Sequence, residues 1–267
     1  MRGPLHDTLH ADGIWNVIDL RMYPWGNAYY DSPLLDGCPS TNGTYPYNRD
    51  RYTCWAERCS STTSAPEQCF NGTKLCQHGP DECYANSVEV CSTAVYPPTL
   101  YSDFIYCFEE SCEYDGADPT NSTCNTTVAF LEGCASYAGI AAAPILECFD
   151  DAARRDLLDQ DAARATAALG TSKEGTPWVL LNGVPLDDVN SLLEAICDAW
   201  SAQDGAMPPG CPGASADASY DWATWQESLT LAVGLGGGLL CSLGLCALCM
   251  QRAKANERRA PLLEPPA

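Results

Sequence analysis

The side chains with the greatest chemical potential in this chain are its cysteines, of which there are seventeen among 267 residues. Fourteen of them, from Cys38 to Cys211, precede one long apolar run near the C-terminus. An even number of cysteines crowded into a polar region is typical of disulfides formed in an oxidising compartment, although the spacing leaves their connectivity open. Thiol chemistry, structural or redox-active, is therefore the first function class that the sequence favours.

Zinc binding is the competing use of such a cluster. Thiolate and imidazole ligands are offered by Cys76, His78, Cys83 and Cys91. Their spacing differs from that of the common zinc fingers, and disulfide formation would compete for the same sulfur atoms. We therefore expect structural disulfides in this region, and we predict neither a metal nor a cofactor.

Acceptor motifs for N-glycosylation occur among the same cysteines. Four N-x-S/T sequons are present, at Asn42, Asn71, Asn121 and Asn125. One sequon often occurs by chance, whereas four of them between cysteines favour a lumenal or extracellular location. We predict glycosylation at these four residues.

The acidic balance of the chain excludes one class of partner. The formal net charge is -21, and 33 of the 35 acidic residues precede the apolar run. A strongly negative surface repels phosphate backbones, so nucleic acid is not expected as a partner. Acids and arginines alternate through residues 150–164, a pattern typical of a solvated helix face.

The apolar run predicts a membrane anchor. Residues 229–250 carry no charge, and 22 residues at about 1.5 Å each span a hydrocarbon core of about 30 Å. Four basic residues follow directly, which favours a cytosolic C-terminus. We therefore expect a single-pass type I membrane protein, with a lumenal domain over residues 1–201, a stalk over 202–228 and a cytosolic tail over 251–267.

The sequence predicts only a few regular elements that could position the cysteines. Residues 14–22 are rich in β-branched and aromatic side chains and predict a buried strand. Residues 29–70 lack periodicity and predict a disulfide-held insertion with little regular structure. An alanine- and leucine-rich stretch from Pro144 to Gly170 predicts one or two helices, because proline favours a first helical turn and glycine a C-terminal cap.

A hairpin followed by a helix is predicted near the end of the cysteine-rich part. Asn182 and Gly183 separate two apolar runs within residues 176–186, and Asn-Gly is a strong signal for a two-residue turn. Asp187 or Asp188 can cap the next helix. That helix has one apolar face, formed by Val189, Leu192, Leu193, Ile196 and Trp200.

One segment resembles a known family. Residues 76–91 read C-Q-H-G-P-D-E-C-Y-A-N-S-V-E-V-C and match in full the signature of the gamma-interferon-inducible lysosomal thiol reductases, C-Q-H-G-x-x-E-C-x-x-N-x-x-x-x-C. We call residues 76–91 the signature segment. Its specified positions are Cys76, Gln77, His78, Gly79, Glu82, Cys83, Asn86 and Cys91. The P-W-G-N-A run at 24–28 and the P-W-V run at 177–179 are also similar to family motifs.

The resemblance implies an α/β, thioredoxin-like fold, incomplete at the N-terminus and carrying disulfide-rich insertions at about 29–70 and 109–127. It also implies reduction of protein disulfides in an acidic endosomal or lysosomal lumen. In that family a C-x-x-C or C-x-x-S pair begins the first helix, where the helix N-terminus lowers the pKa of the attacking thiol. That thiolate attacks a substrate disulfide, and the second cysteine can resolve the mixed disulfide.

The chain departs from the family pattern at this pair. No cysteine precedes Cys38, and residues 1–30 contain no apolar stretch that could act as a signal sequence. A chain truncated at its N-terminus would explain both features, and this chain is then expected to be inactive. The resemblance places Pro177 where thioredoxin-like folds have a cis-proline facing the C-x-x-C, with the backbone of Thr176 available to pair with an extended substrate.

Two functions from different classes remain. The favoured one is a membrane-anchored thiol-disulfide oxidoreductase of the lysosome, vacuole or endosome that acts on disulfide-containing proteins. The alternative is a non-catalytic, glycosylated, disulfide-rich binding module. The signature segment does not assign a role to His78.

Overall fold

The structure is a computed structural model that describes residues 2–40, 47–61, 65–113, 123–170, 173, 175–202 and 206–213. Helices dominate this part of the chain. They are α1 (Arg2–Leu9), α2 (Arg49–Cys59), α3 (Pro80–Val95), α4 (Pro98–Glu109), α5 (Val128–Tyr137), α6 (Ala143–Asp150), α7 (Ala152–Ala167) and α8 (Leu192–Ser201). Short 3-10 helices lie at Ile14–Asn16, Pro33–Leu35, Glu67–Phe70 and Val189–Ser191.

Four short strands form two separate sheets in the described residues. Strand β1 (Tyr29–Asp31) pairs antiparallel with β2 (Thr73–Leu75), and β3 (Leu180–Leu181) pairs antiparallel with β4 (Val184–Pro185). Each sheet has two strands, so this part of the chain shows no central sheet. The α/β character is thus a mixed one, mostly helical with few strands, and the thioredoxin-like arrangement is not confirmed.

The strand predicted over residues 14–22 is wrong. Gly13 adopts a left-handed φ of 74° and introduces a 3-10 turn, in which the Asn16 N–H donates to the Gly13 carbonyl at 3.1 Å. A strand requires a neighbour on its hydrogen-bonding edge, and the described residues provide none here. Ile14 is fully buried, whereas the rest of this segment is half-buried or exposed, so the predicted burial holds only at its first residue.

Helix α3 is the centre of the helical packing, with α4, α6 and α7 against it. Seven disulfides brace the structure, and they pair all fourteen cysteines between Cys38 and Cys211. The pairs are Cys38–Cys54, Cys59–Cys69, Cys76–Cys83, Cys91–Cys148, Cys107–Cys134, Cys112–Cys124 and Cys197–Cys211. The expectation of structural disulfides is therefore confirmed.

The first insertion has more regular structure than the sequence predicted. Between residues 29 and 70 lie β1, α2 and two of the 3-10 helices. Its core contains the fully buried Trp55, whose indole N–H donates to the Cys69 carbonyl at 2.8 Å. The buried residues of α2 recur at helical spacing, so the segment does contain a periodic apolar face that the sequence prediction missed; they are Tyr52, Trp55, Ala56 and Cys59.

The second insertion is closed at its base. The Cys112–Cys124 disulfide and a two-way backbone bridge between Glu113 and Thr123 join its two ends. Residues 114–122 lie outside the described part of the chain. What can be described agrees with a disulfide-closed loop at this position.

Two helices fill the predicted stretch from Pro144 to Gly170. Asp151 is the N-cap of α7, because its carboxylate accepts from the Arg154 N–H at 3.2 Å. The solvated-face interpretation fails at Asp159, which is only 5% exposed. This carboxylate points into the core, where it meets a buried lysine described below.

The predicted hairpin and its following helix are confirmed. Asn182 and Gly183 form the turn with φ values of 53° and 83°, which explains the Asn-Gly pair. Asp188 accepts from the Asn190 N–H at 2.9 Å and caps the turn that leads into α8. Leu192 and Ile196 of α8 pack on Ile14 in a small apolar cluster.

Within the described ranges, no helix combines the length and the apolar character that crossing a membrane would need. The predicted span over residues 229–250 and the predicted tail over 251–267 lie outside those ranges. The same holds for much of the predicted stalk at 202–228.

Candidate functional site

The signature segment forms the connection from β2 into α3. Gly79 has a φ of 105°, which favours glycine, and its carbonyl accepts from the Cys83 N–H at 3.3 Å. Pro80 occupies the first turn of α3, where its missing N–H costs nothing. The Cys76–Cys83 disulfide ties the end of β2 to this first helical turn.

Two signature side chains bind the turn at residues 25–27. Gln77 Oε1 accepts from Asn27 Nδ2 at 2.6 Å, and Asn86 Nδ2 donates to the Trp25 carbonyl at 3.2 Å. Gly26 lies between them with a φ of 61°, and a Cβ at this position would lie 3.1 Å from Glu82 Oε1. The P-W-G-N-A run and the signature segment therefore act as one structural unit, although some fifty residues separate them.

Glu82 organises the start of α3 together with His78. The His78 backbone N–H donates to Glu82 Oε2 at 2.6 Å, and His78 Nδ1 lies 3.3 Å from the same oxygen. The Glu82 side chain is only 10% exposed, so this oxygen has little access to water. These contacts favour a structural role for His78 at the helix start.

Lys173 is a polar residue near the signature segment that sequence reasoning missed. Its Nζ donates to Asn27 Oδ1 and lies 5.6 Å from the centre of the Tyr52 ring. Burial first, and then the neighbouring Arg49, lower the pKa of Lys173 to about 8, although Glu82 opposes both. No local pattern marks this lysine, because its partner Asn27 is 146 residues away along the chain.

A second lysine is buried beneath the same unit. Lys74 Nζ donates to Asp159 Oδ1 at 2.8 Å and to Ser87 Oγ at 3.0 Å, and Ser87 donates to Asp159 Oδ2 at 2.8 Å. The ammonium group also lies 4.8 Å from the Trp25 ring centre. Burial lowers the pKa of Lys74 while Asp159 raises it. This closed network joins β2, α3 and α7.

Farther along α3, Glu89 is a buried acid. Burial first, and then the neighbouring Glu109, raise the pKa of Glu89 well above its usual value. Two carboxyl groups in contact share a proton more readily than they both ionise. The inner face of α3 thus carries an acid whose raised pKa favours the protonated form, as well as the lysine network.

The predicted substrate-facing residues lie apart from this buried framework, on an exposed segment. The Thr176–Pro177 peptide bond is cis, as predicted, and both residues are exposed. After them, the Leu186 N–H donates to the Val179 carbonyl at 2.9 Å and closes the base of the hairpin. The described link toward the signature segment is the Lys173–Asn27 hydrogen bond, three residues before Thr176.

The cysteines of the signature segment are all in disulfides. Cys76 pairs with Cys83, and Cys91 pairs with Cys148 of α6. Cys76, Cys91 and Cys148 are fully buried, so solvent reaches little of these sulfur atoms. Among the described residues no cysteine is a free thiol that could serve as a nucleophile.

Two of the four predicted glycosylation sites can be located. Asn71 and Asn125 are exposed, which is compatible with an attached glycan. Asn125 Oδ1 accepts from the Thr127 hydroxyl at 2.7 Å, within its own sequon. Asn42 and Asn121 lie outside the described residues.

The fold and the site define a class of protein, a cystine-rich and mostly helical domain. Its centre is the connection between β2 and α3, which is stabilised by the buried polar network of Lys74, Ser87 and Asp159. Comparison with known proteins narrows this class. A family model described as "Gamma interferon inducible lysosomal thiol reductase (GILT)" matches residues 53–128, which include the whole signature segment. The matched range is less than half of the chain, and the likeness to this family is centred on the signature segment.

The chain is also similar to three individual proteins. The chain is 29% identical over 216 residues to the gamma-interferon-responsive lysosomal thiol protein of Arabidopsis thaliana, covering 77% of this chain and 83% of the relative. It is 27% identical to the gamma-interferon-inducible lysosomal thiol reductase of Carassius auratus and 29% identical to that of Mus musculus. These two matches cover 53% of this chain and 52% and 53% of the relatives, so the chain spans about half the length of each animal protein.

Proposed function

We propose that the protein is a thiol-disulfide oxidoreductase that reduces disulfide-containing proteins in an endo-lysosomal or secretory lumen. One observation carries the proposal: the complete signature segment folds as a single unit with the turn at residues 25–27. The two animal relatives, named thiol reductases, support the same activity. The seven disulfides agree with an oxidising compartment.

In this proposal the signature segment is a scaffold and not the redox centre. Its cysteines are cross-linked, and its polar side chains are engaged with the turn at 25–27 and with the start of α3. The nucleophile would come from a C-x-x-C or C-x-x-S pair outside these 267 residues, within a thioredoxin-like arrangement that such a segment would complete. The exposed Thr176 and Pro177 would face that pair, with the Thr176 backbone binding an extended substrate strand.

The proposal includes an anchored topology. Residues 1–201 would form the lumenal domain, 202–228 the stalk, 229–250 the membrane helix and 251–267 the cytosolic tail. The length and uncharged character of residues 229–250, together with the basic residues after them, support this orientation. Glycans at Asn42, Asn71, Asn121 and Asn125 would lie on the lumenal side.

The test begins with the transcript upstream of Met1. An in-frame signal sequence followed by a C-x-x-C or C-x-x-S pair is expected. The extended protein should then reduce a disulfide substrate, replacement of its first cysteine by serine should abolish turnover, and the 267-residue chain should be inactive. Turnover by the 267-residue chain that thiol alkylation abolishes would overturn the proposed source of the nucleophile.

One observation favours a second function. Every cysteine between Cys38 and Cys211 is paired, as in a binding module that uses disulfides only for rigidity. An upstream stop codon, or an extended protein that folds with seven disulfides and reduces nothing, would favour this glycosylated binding module over the oxidoreductase.

A further inference from the structure

The helix α1 and the helix α4 bring together three side chains that bind transition metals well. His6 lies on α1, His10 directly follows the end of this helix one turn later, and Asp103 faces both from α4. One nitrogen of each ring and one carboxylate oxygen of Asp103 all lie within 4.8 Å of one another. We propose that His6, His10 and Asp103 form a binding site for a divalent transition-metal ion of the zinc type.

The hydrogen bonding of His10 prepares one ligand. His10 Nδ1 lies 3.0 Å from the His6 carbonyl oxygen, which can only accept, so Nδ1 carries the proton in this contact. In the neutral ring the lone pair is then on Nε2, which lies 3.3 Å from Asp103 Oδ1. Two acceptors that face each other need a cation between them, and a backbone carbonyl on the other ring nitrogen is a common support for a metal-binding histidine.

His6 supplies an independent observation. Its ring stacks against the His10 ring at 4.1 Å between centres and against the Tyr106 ring at 4.0 Å, so its orientation is fixed by packing. His6 Nε2 is shielded from solvent and has no hydrogen-bond partner within the described structure. A buried polar atom of this kind calls for a partner, and a metal ion satisfies it.

The dimensions fit a small ion after modest adjustment. Ligand atoms around tetrahedral zinc, bound at about 2.0 to 2.2 Å, are about 3.4 Å apart. The side chains of His10 and Asp103 are 48% and 26% exposed, so both can rotate toward such a geometry. Imidazole and carboxylate ligands suit zinc and its neighbours, whereas an all-oxygen site would suit calcium or magnesium.

The site has room for a further ligand. His10 and Asp103 line a surface cleft of about 310 Å³, together with Asp12 and Ser102. A water molecule or the Asp12 carboxylate can therefore complete the coordination from the cleft. The bound ion would cross-link α1 to α4, which no described disulfide does.

The test is a titration of the untagged, disulfide-intact 267-residue chain with Zn²⁺ by calorimetry, and with Co²⁺ by visible absorption. One equivalent should bind saturably, and Co²⁺ should give the spectrum of a nitrogen- and oxygen-ligated ion. His6→Gln, His10→Gln and Asp103→Asn should each weaken binding at least ~10-fold. In the parent protein, Zn²⁺ at a hundredfold excess over Kd should raise the thermal midpoint by roughly 5 to 10 °C.

Two matched controls make the test specific. His78→Gln removes the remaining histidine of the chain, and Asp36→Asn removes an exposed carboxylate elsewhere; both should leave binding unchanged. His10→Gln and Asp103→Asn change partly exposed side chains, so circular dichroism should show an intact fold even if His6→Gln is unstable. Absence of one-equivalent binding, or equal weakening by His78→Gln and His10→Gln, would overturn the site.

Discussion

The signature end and the hairpin end of this domain are built in opposite ways. Around the signature segment, two disulfides and the Lys74–Asp159 network hold side chains that have little contact with solvent. At the hairpin, two-residue strands present Leu180 and Val184 to solvent at 42% and 66% exposure. In this domain the signature segment therefore stabilises the fold, whereas the Thr176–Pro177 segment is accessible to solvent.

The largest effect should come from removing the disulfide that joins the signature segment to α6. The double replacement of Cys91 and Cys148 by alanine opens a link across 57 residues, and chain entropy predicts a loss of about 4 kcal/mol in the free energy of unfolding. The same replacement at Cys112 and Cys124, separated by 12 residues, should cost about 3 kcal/mol. Urea unfolding measures both, and a larger loss for the shorter link would contradict the comparison.

Asp159→Asn should cost nearly as much, because it leaves the Lys74 charge buried without its counter-ion. Breaking a buried pair costs about 3 kcal/mol or more. Asp161→Asn is the matched control on the same helix, since Asp161 pairs with Arg164 at 3.2 Å in solvent. That exposed pair should contribute less than about 1 kcal/mol. Equal losses for the two variants, measured by denaturant unfolding, would mean that the network adds nothing.

Lys173 should give a smaller, pH-dependent effect. Its folded pKa of about 8 lies below its usual value of 10.5, so between these values the unfolded chain binds more protons. Stability should therefore rise with pH across this window by on the order of 1 to 2 kcal/mol, after discounting for partial exposure. Below pH 8 the full cost of charging this buried amine applies.

The control for this prediction is Lys173→Met, in which the rise with pH should disappear. The chain has three lysines and one N-terminal amine, so carbon-13 methylation gives few resonances, and the one from Lys173 can be assigned by substitution. A Lys173 resonance that titrates above pH 10 would contradict the lowered pKa.

The smallest effect belongs to the hairpin end. Val184→Ala removes a side chain that is 66% exposed and should change the free energy of unfolding by less than about 0.5 kcal/mol. Leu192→Ala, at the buried base of the same region, should cost about 2 kcal/mol or more. Thermal unfolding of the two variants tests whether the exposed hairpin contributes less to the free energy of unfolding than the buried residue of α8 beside it.

Local patterns accounted for much of the site. The Asn182–Gly183 turn, the Asp188 cap and the two helices α6 and α7 follow from residue types that act on their immediate neighbours. The signature segment was recognisable because its spacing is fixed by one β2–α3 connection. Cys197 and Cys211, which form one of the disulfides, are also close along the chain, at a separation of 14 residues.

Other expectations failed where contacts with residues distant in the sequence determine the secondary structure or the burial of a side chain. Residues 14–22 have the composition of a strand, yet a strand forms only beside another strand, and none pairs with these residues in the described structure. Asp159 belongs to a run of alternating acids and arginines that is typical of a solvated helix face. It is buried nevertheless, because it pairs with Lys74, which is 85 residues away along the chain. Lys173 and the pair formed by His10 and Asp103 were missed for the same reason.

By itself the sequence determined the resemblance to a thiol reductase family, the oxidised state of the fourteen cysteines and the local turns and caps, because these depend on residue type at short spacing. Only the tertiary structure decided which cysteines pair, which acid is buried and which histidines meet a carboxylate. These outcomes depend on contacts between segments that are far apart along the chain, and such contacts form only when burial of apolar surface brings the segments together.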